Sequence, residues 1–169
     1  MKPARKILWT VSVLSGLLGA GSAFAGKTLS VEEGIVLPAK PAEVWKVVGD
    51  YGNLQAWHPV VGNTTVTQGK NNQVGAVRTV ETKDGAKIVE KLLAYDGKRM
   101  SMRYKIVESP LPVSEYSSNL KVVAAGEGSR VIWNSRFKAN GTPDAKAREV
   151  ISGVYKAGFE GLQSQFGGS

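Results

Sequence analysis

The chain contains a single histidine, His58, so any imidazole acid–base chemistry would have to use it. His58 stands between Trp57 and Pro59, where a short helical pattern gives way to a strand pattern. At such a corner a ring nitrogen can hydrogen-bond the backbone, and this structural role is the favoured interpretation. A contact between the ring and a ligand is the alternative.

Glu90 is an acidic residue within an apolar stretch, between Val89 and Leu92. A buried carboxyl without a partner would have a raised pKa, which suits a general acid or a ligand contact. An ion pair with Arg78 or Arg103 is the alternative, and the sequence does not decide between these arrangements.

Other side chains could contact a ligand but form no catalytic set. Tyr104, Tyr116 and Tyr155 offer hydroxyl groups, although inward-facing aromatic residues are usually core residues. Met100, Met102 and His58 are of copper-ligand types, but no methionine or histidine cluster accompanies them, so we predict no metal site. The sequence also has no Ser-His-Asp order, no nucleophile elbow and no phosphate-binding glycine loop. We therefore expect a protein without catalytic activity and without a cofactor.

A helix over 142–166 is expected to position these groups. Thr142 can cap it, Pro143 suits its first turn, and apolar residues such as Val154 recur at three- and four-residue spacing. The helix contains three glycines, Gly153, Gly158 and Gly161. Each costs a helix interior roughly 1 kcal/mol relative to alanine. The bare backbone either lets the helix lie close against a sheet or leaves room for a ligand, and both interpretations stay open.

Period-two patterns separated by turn residues predict seven strands. They span 28–37, 60–67, 75–82, 86–95, 99–107, 114–124 and 129–139, with a break near Gly34 and two short helices, 41–48 and 54–58, after the first strand. Alternation predicts which side chains face the long helix. They are Met100, Met102, Tyr104 and Ile106 on one strand, and Val131, Trp133, Ser135 and Phe137 on another.

Residues 1–25 have the pattern of a cleaved signal peptide. Basic residues precede an apolar run, and a small-x-small site ends at Ala25. We therefore expect a periplasmic domain over 26–169 that meets a membrane only before cleavage. Removing the three basic residues of the signal lowers Lys+Arg from 22 to 19 against 14 acidic residues, so the net charge falls from +8 to +5.

The remaining basic residues are scattered among acidic ones and form no basic run. Such a pattern could attract an acidic protein or an anionic surface, but it predicts no nucleic-acid binding. The sequence has no cysteine, which excludes disulfides, thiolate metal sites and a nucleophilic thiol. The core must therefore be held by packing.

The order of elements and several motifs resemble the START/Bet v1-like superfamily (SRPBCC), which includes polyketide cyclase/dehydrase-like proteins. The motifs are Val44-Trp45, Trp57-His58-Pro59, Gly75-Ala76-Val77-Arg78, Glu90-Lys91-Leu92, Ser109-Pro110-Leu111-Pro112-Val113 and Tyr116. The resemblance covers about residues 29–166. It implies an α+β helix-grip fold, in which a curved seven-stranded antiparallel sheet wraps around the long C-terminal helix and leaves a cavity between them.

Within this superfamily, the signal-peptide pattern and the segments 108–116 and 149–155 are similar to MxaD-type accessory proteins of methanol oxidation. This implies a periplasmic, non-catalytic protein that supports methanol dehydrogenase and its cytochrome. The alternative is a carrier for a hydrophobic small molecule or lipid. A polyketide cyclase or dehydratase is the third hypothesis.

The resemblance places His58, Glu90 and Tyr116 where plant abscisic acid receptors of the superfamily have cavity or cavity-mouth residues. Trp57 replaces the lysine that anchors the hormone carboxylate in those receptors, so no acidic ligand is implied. With the inward-facing residues added, the predicted ligand-binding residues are His58, Glu90, Met102, Tyr104, Tyr116, Trp133, Val154, Gly158 and Gly161. The predicted mouth loop contains Pro110, Leu111 and Pro112.

Overall fold

The computed structural model describes residues 26–167, in which seven strands and two helices form an α+β fold. In chain order they are β1 Leu29–Leu37, α1 Pro41–Val48, β2 Val61–Gln68, β3 Val77–Thr82, β4 Lys87–Asp96, β5 Ser101–Glu108, β6 Val113–Ala125, β7 Gly128–Ala139 and α2 Asp144–Phe166. The predicted strands all occur, and the helix-grip prediction is confirmed. The predicted second short helix is a single 3₁₀ turn, Leu54–Ala56. The predicted signal peptide lies outside the described residues.

All seven strands belong to one antiparallel sheet in the order β1-β7-β6-β5-β4-β3-β2. The alternation predicted for β5 and β7 is confirmed, since Met102, Tyr104, Trp133 and Phe137 are all buried. The predicted break in β1 is wrong. The strand continues through Gly34, which lies opposite Ile132, because every residue of β1 pairs with β7.

Helix α2 covers the inward face of the sheet with residues spaced three or four apart. Ala147, Ile151, Tyr155 and Leu162 are buried there. The helix begins at Asp144, with Pro143 at the N-cap in an extended conformation and no side-chain cap, so the predicted capping by Thr142 is wrong. Within residues 26–167, no helix is long and apolar enough to cross a lipid bilayer.

Helix α1 begins at Pro41, a residue whose fixed φ suits the first helical turn. The carboxylate of Glu43 accepts a hydrogen bond of 3.0 Å from the backbone N–H of Lys40, which satisfies a donor at the start of the helix. Val44, Trp45 and Val48 are buried. Trp45 packs on Tyr95 of β4, with ring centroids 5.7 Å apart, so α1 closes one end of the sheet and leaves the other end to form the site.

Candidate functional site

A cavity of about 200 Å³ lies between the sheet and α2. Its walls are mainly apolar and come from strands β2 to β7 and from α2. They include Val61, Val80, Ile88, Ile106, Ile151 and Val154. Strand positions alternate between the two faces of a sheet, so the strand residues of this set point toward α2. Ile151 and Val154 of α2 face them across the cavity.

The cavity reaches the surface where three connecting segments meet. Val60 before β2, Asp84 in the β3–β4 turn and Pro110 in the β5–β6 loop all line the cavity and are exposed. Leu111 lies beside Pro110 and is partly buried against the core. Proline fixes its own φ and restricts the preceding residue, so Pro110 stiffens one side of this mouth.

Arg78 and Glu90 form a buried ion pair beside the cavity. They lie directly opposite each other on β3 and β4, and they are 2% and 7% exposed. The Nε of Arg78 donates to Glu90 Oε2 at 2.7 Å, and its Nη2 lies 2.7 Å from the same oxygen. Glu90 itself lines the cavity. Arg78 is therefore the partner of Glu90, whereas Arg103 lies on the exposed face of β5.

The guanidinium of Arg78 is enclosed by aromatic rings. Its central carbon lies 4.2 Å from the ring centroid of Tyr51 and 5.2 Å from that of Tyr104. Its Nη1 donates to the backbone carbonyl of Tyr51 at 2.6 Å. Burial by itself would lower the pKa of Arg78, but Glu90 together with Tyr104 and Tyr51 outweighs it and raises the pKa. The guanidinium of Arg78 therefore stays charged although it is buried.

A hydroxyl network lies next to this pair. Trp133 donates from its indole Nε1 to the hydroxyl oxygens of Tyr104 and Ser118, each at 2.9 Å. The hydroxyls of Tyr116 and Tyr155 are 2.5 Å apart, and Ser118 lies 3.3 Å from that of Tyr155. Burial raises the pKa of Tyr104 and Tyr116 well above the ordinary value, so these groups stay protonated.

His58 contacts α2 directly. Its Nε2 lies 3.0 Å from the carbonyl oxygen of Val154, and a carbonyl can only accept, so Nε2 carries the proton. Burial lowers the pKa of His58 to about 4. The ring is neutral at neutral pH, and its Nδ1 has no hydrogen-bond partner among residues 26–167.

The glycines of α2 allow close approach and do not line the cavity. A Cβ at Gly161 would lie 1.9 Å from the backbone carbonyl oxygen of Trp57. A Cβ at Gly158 would lie 2.9 Å from the Trp57 ring and 3.0 Å from the ring of His58. Trp57 and His58 occupy the space above the bare backbone, so Gly158 and Gly161 are corrected from predicted cavity residues to packing residues.

Of the other predicted site residues, His58, Glu90, Tyr104, Tyr116, Trp133, Val154, Pro110 and Leu111 line the cavity. Met102 does not. It lies opposite Leu120 and Tyr95, in the part of the core under α1. Pro112 does not either, because its carbonyl accepts a hydrogen bond from Asn140 and the residue belongs to the far side of the loop.

Ile88 and Ile151 also line the cavity, and Ser118 belongs to the hydroxyl network, although none of the three was among the predicted site residues. Two of them could have been found. Ile151 precedes Val154 by three residues and so shares its helix face, and Ile88 precedes Glu90 by two and so shares its strand face. No sequence pattern indicated Ser118, because a serine is tolerated on either the buried or the exposed face of a strand.

Comparison with known proteins agrees with this geometry. The sequence profile of the family described as polyketide cyclase/dehydrase and lipid transport matches residues 28–167. The chain belongs to this family. The polyketide cyclase/dehydrase and lipid transport family shares its fold with the Bet v1-like proteins, and the matched range includes every strand, both helices and the cavity described above.

Solved structures with similar folds support the assignment to the polyketide cyclase/dehydrase and lipid transport family. XoxI from Bacillus cereus is 27% identical, with a TM-score of 0.76 over 81% of this chain and 94% of that chain. A putative uncharacterized protein from Bacillus thuringiensis is 26% identical, with a TM-score of 0.75 over 82% of this chain and 98% of that chain. Ara h 8.0201, at 20% identity and a TM-score of 0.67 over 82% and 97% of the two chains, shows the fold alone.

Proposed function

We propose that the protein binds a small, largely apolar molecule in the cavity between the sheet and α2 and does not transform it. The observation that carries this proposal is the cavity itself, about 200 Å³ in volume, with apolar walls and a few polar side chains on one side. Cavities of this composition commonly hold small ligands, because apolar walls exclude water while a few polar groups fix orientation.

The volume limits the size of the ligand. An engineered apolar cavity of about 150 Å³ binds benzene, so a cavity of about 200 Å³ suits a single-ring aromatic compound or a short aliphatic chain. A diacyl lipid would need the mouth between Asp84 and Pro110 to open much further. The ligand that fits the cavity as described is therefore smaller than a membrane lipid.

Two acceptors are available for one polar group on this ligand. The hydrogen bond and the ion-pair contact that Glu90 receives from Arg78 both involve Oε2, and no residue within 26–167 donates to Oε1. Nδ1 of His58 is likewise unpaired within this range. Both residues line the cavity, so an aromatic alcohol or amine fits better than a carboxylic acid.

The absence of catalysis is part of the proposal. Proton transfer requires a group that can change charge in the site, and Glu90 is held by Arg78 while the Nε2 proton of His58 is committed to Val154. If the third hypothesis, a cyclase or dehydratase, were correct, Glu90→Gln and His58→Gln should abolish turnover of a polyketide substrate that the wild type converts.

Titration with p-cresol and with benzoate, followed by amide NMR and thermal unfolding, tests this proposal. We expect p-cresol to shift cavity resonances and to raise the unfolding temperature, since a ligand that binds only the folded state stabilises it. Benzoate should bind at least about tenfold more weakly, because its carboxylate would face Glu90. Equal binding of the two would contradict the proposed polar contact.

Two variants test whether the ligand binds in the cavity. Val154→Phe and Ala86→Leu place added side-chain volume at the cavity wall, whereas Ala145→Leu adds the same kind of volume at an exposed position of α2. We expect the first two to weaken p-cresol binding and the third to leave it unchanged. Retained binding in both cavity variants, with an unchanged fold, would place the ligand elsewhere.

A role in methanol oxidation remains a second candidate, supported by the similarity of segments 108–116 and 149–155 to MxaD-type proteins. Segment 108–116 includes Pro110 and Leu111 at the cavity mouth. We propose export to the periplasm and support of methanol dehydrogenase and its cytochrome. Co-purification with either protein, and slower methanol-dependent electron transfer after gene deletion, are the expected results. Unchanged growth on methanol without the gene, in an organism that depends on that enzyme, would contradict this role.

A further inference from the structure

The outward face of the sheet carries a group of basic residues that are far apart in the sequence. Across β4 to β7, the exposed outward positions include Lys91, Lys105, Arg103, Lys121, Arg130 and Arg136. We call these six residues the basic face. The strand register brings them together, because Lys91 lies opposite Lys105, Lys105 opposite Ser117, and Ser117 opposite Arg136.

None of the six forms an ion pair within residues 26–167, which contain all fourteen acidic residues of the chain. Two acidic residues on this side of β4 to β7, Asp96 and Glu115, are each paired with their own cation, Arg99 and Lys138. Two others, Glu108 opposite Val89 and Glu32 of β1 opposite Asn134, form no ion pair within residues 26–167. The six cations outnumber these two carboxylates, so the basic face keeps an excess of positive charge.

The basic face destabilises the folded state. Like charges directly opposite each other on neighbouring strands repel, and Lys91 and Lys105 are such a pair. Exposed positions of a sheet tolerate many residues, so a fold selected for stability alone would place an acid or a neutral residue at one of them. Negative charge brought by a partner would relieve this repulsion and complement the face.

We propose that the basic face docks onto an acidic surface of another protein. Between the six cations lie polar side chains such as Ser117, Asn119 and Asn134, which can hydrogen-bond a protein surface. The six positions span three strand spacings and three two-residue steps, about 14 Å by 20 Å. That area is smaller than a stable protein interface, so the contact is transient and depends on ionic strength.

The composition of the face distinguishes a protein partner from other polyanions. A surface helix or patch that binds membranes usually adds apolar or aromatic side chains that insert among the head groups, and single-stranded nucleic acid is bound by stacking on aromatic rings. The outward positions of β4 to β7 in the described chain carry no aromatic residue, and their aliphatic side chains, such as Leu93, Val123 and Ile132, are half-buried among the cations. The inward face carries Tyr104, Tyr116, Trp133 and Phe137 instead.

The basic face is independent of the cavity. The cavity opens on the inward side of the sheet at Val60, Asp84 and Pro110, and the basic face lies on the opposite side. A partner on the basic face would leave the mouth open, so loss of this docking would not itself remove ligand binding. The two proposals can therefore fail separately.

Binding of the whole mature chain to a short poly-L-glutamate peptide at low ionic strength tests the inference. The triple variant Lys105→Gln/Lys121→Gln/Arg136→Gln removes three charges from the face. The matched triple variant Lys46→Gln/Lys70→Gln/Lys98→Gln removes three exposed charges that are also outside ion pairs within residues 26–167 but lie elsewhere. We expect the first to weaken binding about tenfold and the second less than about twofold.

A stability measurement provides a second readout. Lys105→Glu replaces the repulsion with an opposite-charge pair, so its unfolding temperature should rise while peptide binding falls. Lys70→Glu makes the same charge change in a loop, so it should neither raise the unfolding temperature nor weaken peptide binding. Equal weakening by both triple variants would show an effect of net charge alone and overturn the inference. Binding to phosphatidylglycerol vesicles without binding to the peptide would overturn it in favour of a membrane.

Discussion

Arg78 directs two of its nitrogens at one oxygen of Glu90, with Nε and Nη2 each 2.7 Å from Oε2. This geometry leaves Oε1 of a buried carboxylate without a hydrogen bond from residues 26–167. The third nitrogen, Nη1, is held by the carbonyl of Tyr51 at 2.6 Å. Arg78 is therefore fixed at both ends of its guanidinium, and the carboxylate that it fixes is a cavity residue.

Removing one member of this pair should be far more destabilising than replacing both. Arg78→Met leaves the charge of Glu90 buried without a partner, which commonly costs about 3–5 kcal/mol. Arg78→Met/Glu90→Leu places apolar residues of similar size at both positions and should recover most of this loss. Urea unfolding of the two variants and the wild type measures the difference. Equal losses in the single and double variants would mean that packing around Tyr51, rather than charge, is what Arg78 supplies.

The stability of the protein should fall as the pH is lowered through the range from 6.5 to 4. The folded state lowers the pKa of His58 to about 4 from its ordinary 6.5, so in this range the unfolded chain binds a proton that the folded chain does not. Stability is complete above the unfolded value and declines as pH falls, by about 3 kcal/mol when pH 4 is reached. Urea unfolding at a series of pH values measures this slope.

His58→Gln serves as the matched variant, because an amide N–H can still donate to the carbonyl of Val154 but does not titrate. We expect this variant to lose the part of the pH dependence that His58 contributes. Since His58 is the only histidine, NMR titration of its ring gives the folded-state pKa without ambiguity. A measured value near 6.5 would contradict the burial described for this ring.

The glycines of α2 should respond to alanine in opposite directions. A Cβ at Gly153 would meet nothing within 4 Å, so Gly153→Ala should raise the free energy of unfolding by about 1 kcal/mol through helix propensity. A Cβ at Gly161 would collide with the carbonyl oxygen of Trp57, so Gly161→Ala should lower it by about 1–3 kcal/mol. Chemical unfolding measures both. A stabilising Gly161→Ala would show that space exists beneath the helix at this position.

Glu115 adopts a positive φ of 51° within β6, where the register shifts between Ser114 and Ser117. This conformation costs a residue with a Cβ about 1–2 kcal/mol. Glu115→Gly should therefore be more stable than Glu115→Ala by about 1 kcal/mol, although both lose the ion pair with Lys138. At Ser114, where φ is not positive, glycine should be the less stable of the two. If the glycine variant were less stable than the alanine variant at both positions in unfolding experiments, strain at Glu115 would be excluded.

The irregularity at Glu115 also positions a site residue. Val113 and Tyr116 are both buried although they are three residues apart, because the irregularity adds a residue to the strand. From Tyr116 onward the alternation is regular, and Ser118, Leu120 and Val122 are buried in turn. An alternating pattern read through this segment without the extra residue would point Tyr116 or Val113 outward.

The order of the elements and the inward-facing residues of β5 and β7 follow from the sequence alone. Side chains on a strand alternate by geometry, so Tyr104 and Trp133 could be placed without knowing what they meet. The same rule already placed Arg103 on the outward set of β5. An inward Glu90 could therefore not pair with Arg103, but the apolar residues on both faces of β4 left open whether Glu90 points inward.

The position of the cavity and the role of the glycines in α2 depend on contacts between segments that are distant in the chain. A spacing of glycines shows that a helix has bare backbone but not what approaches it, and here the carbonyl of Trp57 lies over Gly161, 104 residues away along the chain. The basic face has the same origin. Lys91, Lys105 and Arg136 are scattered in the sequence, and strand register alone brings them together, because hydrogen bonding between strands joins residues by position across the sheet rather than by distance along the chain.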